Sequence, residues 1–355
     1  MDAENRLELA LRPPTQEVVE EGELRELFET KREPVHYIGL EVSGRLHVGS
    51  LLLNGFKIND LKKAGCKTQV FLADWHSVIN RKLGGDWEKI AAASKYYEEA
   101  FSFFCPGAQI RTGSQLYAGN DAYWKDVVSF SQHATLKRAT RCLTIMGRSE
   151  NESLDLAQYY YPPMQAVDIR HLGADIAHAG MDQRKIHMLA REVFPKMGWK
   201  KPIALHHFIL SGLSEPPKSE GETKEDEVFE SKMSKSKPDS AIFIHDSPAE
   251  IQRKMSKAYC PPAVEKNPVL EMAKFIAFRE AGAVLKVERP AKFGGDVEYE
   301  SYAALEAAYA EKKLHAMDLK KAVGNAIDAA LAPVRSHFEK RPQLLEVFNE
   351  TKVTR

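Results

Sequence analysis

The chain has 355 residues, with 50 Lys plus Arg against 50 Asp plus Glu, so its formal net charge is zero. At roughly 150 residues per domain, that length predicts two domains and a large buried core. The charge balance excludes a basic nucleic-acid coat over the whole chain and an acidic disordered tail, but not a local basic groove. Hydrophobic residues at 43% and charged residues at 28% fit a soluble globular protein. No apolar run reaches the roughly 20 residues of a membrane span, so no membrane partner is expected. The opening MDAENRLELALRPP carries acids early and lacks a signal peptide's apolar centre. Cys66, Cys105, Cys142 and Cys260 stand far apart with no CxxC pair, which argues against a disulfide framework and a zinc knuckle. The expectation is a reduced, cytoplasmic protein with no metal site of its own.

Leu24, Leu27 and Phe28 fall at helical spacing near the start. HYIGL (residues 36–40) reads as a strand, EVSGRLHVGS as a polar turn, and LLLNGFKINDLKKAG as a helix that Gly65 caps. The run QVFLAD (residues 69–74) completes a βαβ unit, which implies a parallel sheet covered on both faces. Residues 86–149 are mostly helical in pattern and predict an insertion between two halves of an open sheet. PMQAVDIRHLG predicts a helix, ADIAHAG a strand, and DQRKIHMLAREVF another helix. SEPPKSEGETKEDEVFES (residues 214–231) holds seven acids against two lysines and reads as a solvated loop leading to KMSKS. Beyond residue 246 the pattern turns to helices, as in AEIQRKMSKAY and LKKAVGNAIDAALAPVRSHF. The expected division is an α/β domain over 1–246 and an all-α domain over 247–355. The first includes the helical insertion and a lysine loop at about 212–240.

Two stretches carry nucleotide chemistry. GRLHVGS lies between a strand and a helix, where a parallel sheet holds ligands and a helix N-terminus favours phosphate. There His47 offers a ring N–H to a phosphate, and Gly49 lets a nucleotide approach the backbone. The second is Lys232, Met233, Ser234, Lys235 and Ser236, in which two lysines three apart can offset charge building on a polyphosphate. Each alone also suits a surface turn or a solvated loop. A third stretch, YYYPPMQAVD, puts Pro162 and Pro163 in a first helical turn and brings Gln165 and Asp168 onto one face. With Tyr161 these side chains suit a polar amino-acid substrate, and Asp168 can accept from a substrate hydroxyl. A solvated amphipathic helix is the alternative.

In this order and about 185 residues apart, GRLHVGS and KMSKS resemble the HIGH and KMSKS motifs of class I aminoacyl-tRNA synthetases. Ser50 stands where the motif ends in histidine. From about residue 23 to 338 the chain resembles tyrosyl-tRNA synthetases of the archaeal and eukaryotic type, through YIGLEVSGRLHVG, FLADWH, YYYPPMQAVD, GMDQRKIHMLARE, KMSKS, KAYCPP, RPAKFGGD and LHAMDLK. The resemblance implies a Rossmann-like domain with a helical insertion, a C-terminal anticodon-binding domain, and ligation of L-tyrosine to tRNA(Tyr) through tyrosyl-adenylate. It also implies ATP as substrate, bringing its own Mg²⁺, and a homodimer formed through the insertion.

Residue by residue, the resemblance puts the substrate phenol between Tyr37 and Asp168. Tyr161, Gln165 and Gln183 match positions around the amino and carboxylate groups. His76 lines the wall, and Gly39 admits substrate to the first strand. Asp182 falls near the ATP ribose, beside His47, Gly49, Ser50 and residues 232–236 at the triphosphate. Arg184 matches a residue at the tRNA acceptor end. Phe293, His315, Met317 and Asp318 match positions near the first anticodon base, with Ala316 where proline is common. Core packing is the alternative for Phe293. A tryptophanyl-tRNA synthetase and a non-catalytic synthetase-like RNA-binding protein are the rival functions. The pairing of Tyr37 with Asp168 speaks against the first, and the retained lysines and pocket groups against the second.

Overall fold

The computed structural model describes residues 1–146, 155–216, 232–233 and 238–349. The chain divides into two compact units. The first comprises Met1–Gly44, Asn54–Phe208 and Gln343–Arg355, and the second Arg45–Leu53 and Ile209–Pro342. The sequence places the boundary near residue 246. In the structure the second unit resumes at Ile209, well before residue 246, and it includes the short segment carrying His47. Among the described residues, no helix is long and apolar enough to cross a membrane.

The first unit is built on a six-stranded sheet: β1 (Thr15–Val18), β2 (Val35–Leu40), β3 (Lys67–Leu72), β4 (Gln109–Thr112), β5 (Ile176–Gly180) and β6 (Ile203–His207), in the spatial order β1-β6-β5-β2-β3-β4. All neighbours run parallel except β1, which pairs antiparallel with β6 as an edge. The strand order reverses between β2 and β5. In open parallel sheets the carboxyl ends at such a reversal form a crevice for ligand. Residues that come after β2 and β5 therefore carry the site.

Alternation assigns the two faces. Tyr37 is in register with Ala177, and both belong to a cluster with Phe71, Tyr117, Tyr123, Tyr161 and Met164. On the opposite face Ile176, Ile203 and Leu205 pack with Leu7, Leu24, Leu27, Phe28 and Leu61 from the helices Ala3–Leu11, Glu21–Thr30 and Asn54–Lys63. The expected βαβ unit is present, and Gly65 takes φ +85° just past the helix Asn54–Lys63, where a side chain would be strained. Within the described residues 86–146, helices run over Trp87–Phe104, Asp121–Gln132 and Leu136–Cys142. The stretch also contributes β4 to the main sheet, so it is not purely an insertion. Its four residues alternate too briefly to stand out from the flanking helices.

The second unit is mainly helical. Its longest helix, Ala316–Glu339, packs against Pro248–Lys257, burying Ile251 and Met255 together with Leu319, Val323 and Ile327. A Cβ at Gly324 would lie 2.7 Å from Gln252 Nε2, so the glycine leaves room for the end of that side chain between the two helices. A two-stranded antiparallel ribbon, β7 (Leu285–Val287) with β8 (Val297–Tyr299), adds to the helices that the sequence predicts.

Candidate active site

The candidate substrate site of the first unit is assembled from the ends of β2 and β5 and from the helix Tyr161–His171. Pro162 and Pro163 occupy that helix's first turn, where the missing N–H groups cost nothing. Gln165 and Asp168 come one turn later, and both are buried. Asp168 Oδ1 accepts from the Tyr117 hydroxyl at 2.9 Å and from the Tyr123 hydroxyl at 2.8 Å. Its Oδ2 is buried with no hydrogen-bond partner. The nearest charged candidate, His76 Nε2, is 3.7 Å away, too far for a hydrogen bond. The Asp168 carboxyl is pushed up to about 8, first by burial and further by the charge of Asp74, against the Tyr123 and Tyr117 hydrogen bonds, which lower it. Burial also holds His76 down at about 3, so its ring is neutral. That ring meets Tyr161 edge-on with centroids 4.5 Å apart.

Tyr37 is buried, and its phenol is raised first by burial and then by the Asp168 charge. Its hydroxyl folds back over Gly39, where an added Cβ would come within 2.4 Å of the oxygen. Gly39 therefore makes room for the Tyr37 phenol, a packing reason beyond the substrate access that the sequence suggests. Tyr161 donates to Glu41 Oε1 at 2.9 Å, and the same oxygen accepts from Asn80 Nδ2 at 2.7 Å. Gln165 Nε2 donates to Gln183 Oε1 at 3.2 Å, leaving the buried Gln165 Oε1 without a partner. Gln183 and Asp182 sit on the short turn Met181–Gln183 directly after β5. Thus Tyr37, Gly39, His76, Tyr161, Gln165, Asp168, Asp182 and Gln183 all belong to the first unit, with buried acceptors left open among them.

The first motif and the described residues of the second, Lys232 and Met233, belong to the second unit. Val48 N donates to Ile242 O at 2.9 Å and Ile244 N to Leu46 O at 3.1 Å, tying the first motif to the segment just beyond the second. Lys232 forms a β-bridge with Ser211, and Met233 N donates to Leu210 O at 3.4 Å. A Cβ at Gly49 would lie 3.9 Å from Leu210 Cβ, so both motifs border the same residue. Ser234, Lys235 and Ser236 lie outside the described residues.

His47 is held by its own turn. Ser50 N donates to His47 Nδ1 at 3.3 Å, so in the neutral ring the proton sits on Nε2, which is then a donor. The Ser50 hydroxyl accepts from His47 N at 2.8 Å and donates to His47 O at 3.0 Å. Ser50 thus fixes the turn where the motif ordinarily ends in histidine. At Gly49 a Cβ would lie 3.2 Å from the His47 ring, a tight contact that the glycine avoids.

The family model described as tRNA synthetases class I (W and Y) matches residues 29–332. The tyrosine–tRNA ligase of Thermococcus gammatolerans is 48% identical over the whole of both chains. That of Pyrococcus horikoshii is 47% identical, again over both full lengths. This chain belongs to the tyrosine–tRNA ligases of class I. The crystal structure of the Pyrococcus horikoshii tyrosyl-tRNA synthetase complexed with L-tyrosine superposes with a TM-score of 0.92 at 46% identity, covering 98% of this chain and all of the other. A Plasmodium falciparum tryptophanyl-tRNA synthetase gives 0.67 at 14% identity over 99% of this chain and 94% of that one, a likeness of fold alone.

The remaining residues are those that the sequence reading expects near tRNA. Phe293 ends a short turn, Ala291–Phe293, and is 62% exposed, so it is not a core residue. His315 caps the helix Ala316–Glu339, its ring accepting from Met317 N at 3.2 Å. Ala316 is the first helical residue, a position that suits proline equally well, so the substitution leaves this turn's geometry intact. Met317 is 48% exposed, and Asp318 lies in the same first turn. In the other unit, Arg184 is paired with Glu17, its Nε lying 3.0 and 2.9 Å from the two carboxylate oxygens.

Three pocket residues escape the sequence reading. Glu41 stands in the turn after β2 with no role assigned to it, and Tyr117 and Tyr123 lie in the stretch read as an insertion. Their hydroxyls reach Asp168 across 51 and 45 residues of chain, a relation that no local pattern encodes.

Proposed function

We propose that this protein joins L-tyrosine to tRNA(Tyr) with ATP, through a tyrosyl-adenylate, releasing pyrophosphate and AMP. The observation that carries the choice of amino acid is the open Oδ2 of Asp168, a buried acceptor among aromatic side chains with Tyr37 under its field. A para-hydroxyl satisfies that oxygen. A ring without one leaves it buried and unpaired, which costs about 1–3 kcal/mol. Gln165, Gln183 and Tyr161 take the amino and carboxylate ends, with Glu41 holding the Tyr161 hydroxyl.

In the activation step the tyrosine carboxylate attacks the α-phosphorus in line, and pyrophosphate leaves. The nucleophile is already ionised near neutral pH, so no general base is required. Catalysis is then positioning and charge stabilisation. His47 donates through Nε2 to a phosphate oxygen, and Lys232 and Lys235 offset the charge on the departing pyrophosphate. Mg²⁺ enters with the nucleotide, and Asp182 faces the ribose. The terminal 2′-hydroxyl of the tRNA takes the tyrosyl group. Arg184 serves the acceptor end, while Phe293 stacks on an anticodon base and Asp318 accepts from its edge, with His315 and Met317 beside them. A homodimer and a cytoplasmic location complete the reading.

ATP–pyrophosphate exchange with each of the twenty amino acids offered separately tests it. Tyrosine should support exchange far above all others. Tryptophan-dependent exchange, or none with any amino acid, would overturn the assignment.

A further inference from the structure

We infer that Tyr117 and Tyr123 are positioning residues for amino-acid choice: both hydroxyls donate to Oδ1 of Asp168, leaving Oδ2 as the carboxyl oxygen open to a substrate's para-hydroxyl. This deepens the tyrosine reading and rests on it.

The arrangement is built from three helices. Gly113–Tyr117 ends on one phenol, Asp121–Gln132 begins with the other, and Tyr161–His171 presents the carboxylate. The two rings lie against each other with centroids 4.4 Å apart. Trp75 closes edge-on over Tyr117 at 5.4 Å, and Trp124 over Tyr123 at 5.2 Å. Phenylalanine fills nearly the same volume at either position, so packing alone does not call for the hydroxyls. The Tyr123 hydroxyl also lies 3.2 Å from Met164 O, a second acceptor one turn earlier on the helix that carries Asp168.

Two donors on one oxygen fix the plane of the carboxylate and occupy the acceptor capacity on that side. The other oxygen is buried with no hydrogen-bond partner from the protein. The ionisable groups facing Asp168 are Tyr117, Tyr123, Tyr37, His76 and Asp74. His76 is neutral, and Asp74 opposes ionisation of Asp168. The two phenol hydrogen bonds are therefore the local interactions that favour the carboxylate form, and losing either moves the Asp168 titration to higher pH. A protonated acid can turn and satisfy itself, and its preference for a hydroxylated ring falls.

The test is ATP–pyrophosphate exchange with tyrosine and with phenylalanine, from about pH 6 to pH 9, for wild type, Tyr117→Phe, Tyr123→Phe and the double variant. Each single change should lower the tyrosine-over-phenylalanine ratio of kcat/KM roughly three- to tenfold, mainly through the KM for tyrosine. The pH dependence of that KM should move upward, which a purely structural role does not produce. In an Asp168→Asn background, Tyr123→Phe should change the ratio no further. Folded variants with wild-type selectivity and pH profile would overturn the inference, as would full additivity with Asp168→Asn. Should Tyr123→Phe fail to fold, Tyr117→Phe carries the same comparison. Wild type without tyrosine exchange would instead overturn the function proposed above.

Discussion

Within the first unit, buried polar groups are treated in two ways. On one face of the sheet, Lys57 is fully buried and its ammonium lies 3.1, 3.1 and 2.6 Å from the carbonyls of Leu9, Ala10 and Arg12, with Asp60 Oδ2 at 3.1 Å. Arg6 likewise donates to the carbonyls of Ala64, Phe28, Lys31 and Arg32. On the other face, Asp168 Oδ2, Gln165 Oε1 and both His76 nitrogens are buried with nothing bonded to them. Satisfied buried charge ties elements together, whereas an open buried acceptor is a cost the fold carries until something pairs with it. Single unpaired atoms such as His36 Nδ1 and Thr68 Oγ1 also occur on the Lys57 face, so it is the grouping of open acceptors around Asp168, and not burial without a partner by itself, that reads as a binding site.

The largest expected effect on that contrast comes from acid. His36 Nε2 meets His178 Nδ1 at 3.0 Å, and His178 Nε2 meets His207 Nδ1 at 2.9 Å, a buried chain across β2, β5 and β6. Burial holds His36 at about 3 and His207 at about 4, and depresses His178 and His187 well below the usual imidazole value. The unfolded chain binds these protons near pH 6.5, so their stabilising contribution is complete above that pH. It is lost as pH falls toward 4 and 3, at about 1.4 kcal/mol per histidine per pH unit. The urea midpoint should drop steeply between about pH 6.5 and 5. A flat midpoint there would mean the chain is not buried and neutral.

Lys57→Met comes next. Removing one member of a buried ion pair deprives Asp60 and three carbonyls of their ammonium partner, a loss of about 3–5 kcal/mol in denaturant unfolding. The folded fraction should bind tyrosine as before. A weakened tyrosine affinity with intact stability would blur the division between the two faces.

Asp168→Asn should act in the opposite sense. Because burial raises its pKa, the Asp168 contribution to stability is full below about 3.8 and falls as pH climbs to about 8. The amide keeps an acceptor for Tyr117 and Tyr123 without a charge. At pH 8 the unliganded variant should melt about 3 °C higher than wild type, a difference of about 1 kcal/mol that disappears near pH 4. A lower melting temperature at pH 8 would show that the open acceptor carries no cost. The smallest effect is expected at the exposed pair Arg25–Glu4, where Glu4→Gln should leave the melting temperature unchanged, because solvent screens such pairs.

The same division separates features legible in the sequence from those that are not. The βαβ unit, the helix with Gln165 and Asp168 on one face, and the two motifs are local patterns, so spacing exposes them. Glu41, Tyr117 and Tyr123 acquire meaning only when distant segments meet at Tyr161 and Asp168. The histidine chain requires the register that aligns His36 with Ile176 and His178 with Leu205, which alternation within single strands does not supply. The segment with His47 gives no local sign that it packs beside Ile242, because that pairing spans most of the chain. Ser50 looks like a departure from its motif, yet its hydroxyl bonds to the backbone N–H and carbonyl of His47.

The most direct test is calorimetric titration of L-tyrosine and of L-phenylalanine into the wild-type protein and Asp168→Asn at pH 7. The wild type should bind tyrosine far more tightly, and the variant's preference should fall by roughly 10- to 100-fold, the cost of leaving a buried hydrogen bond unmade. Equal affinity of the wild type for both amino acids, or an undiminished preference in Asp168→Asn, would contradict the account.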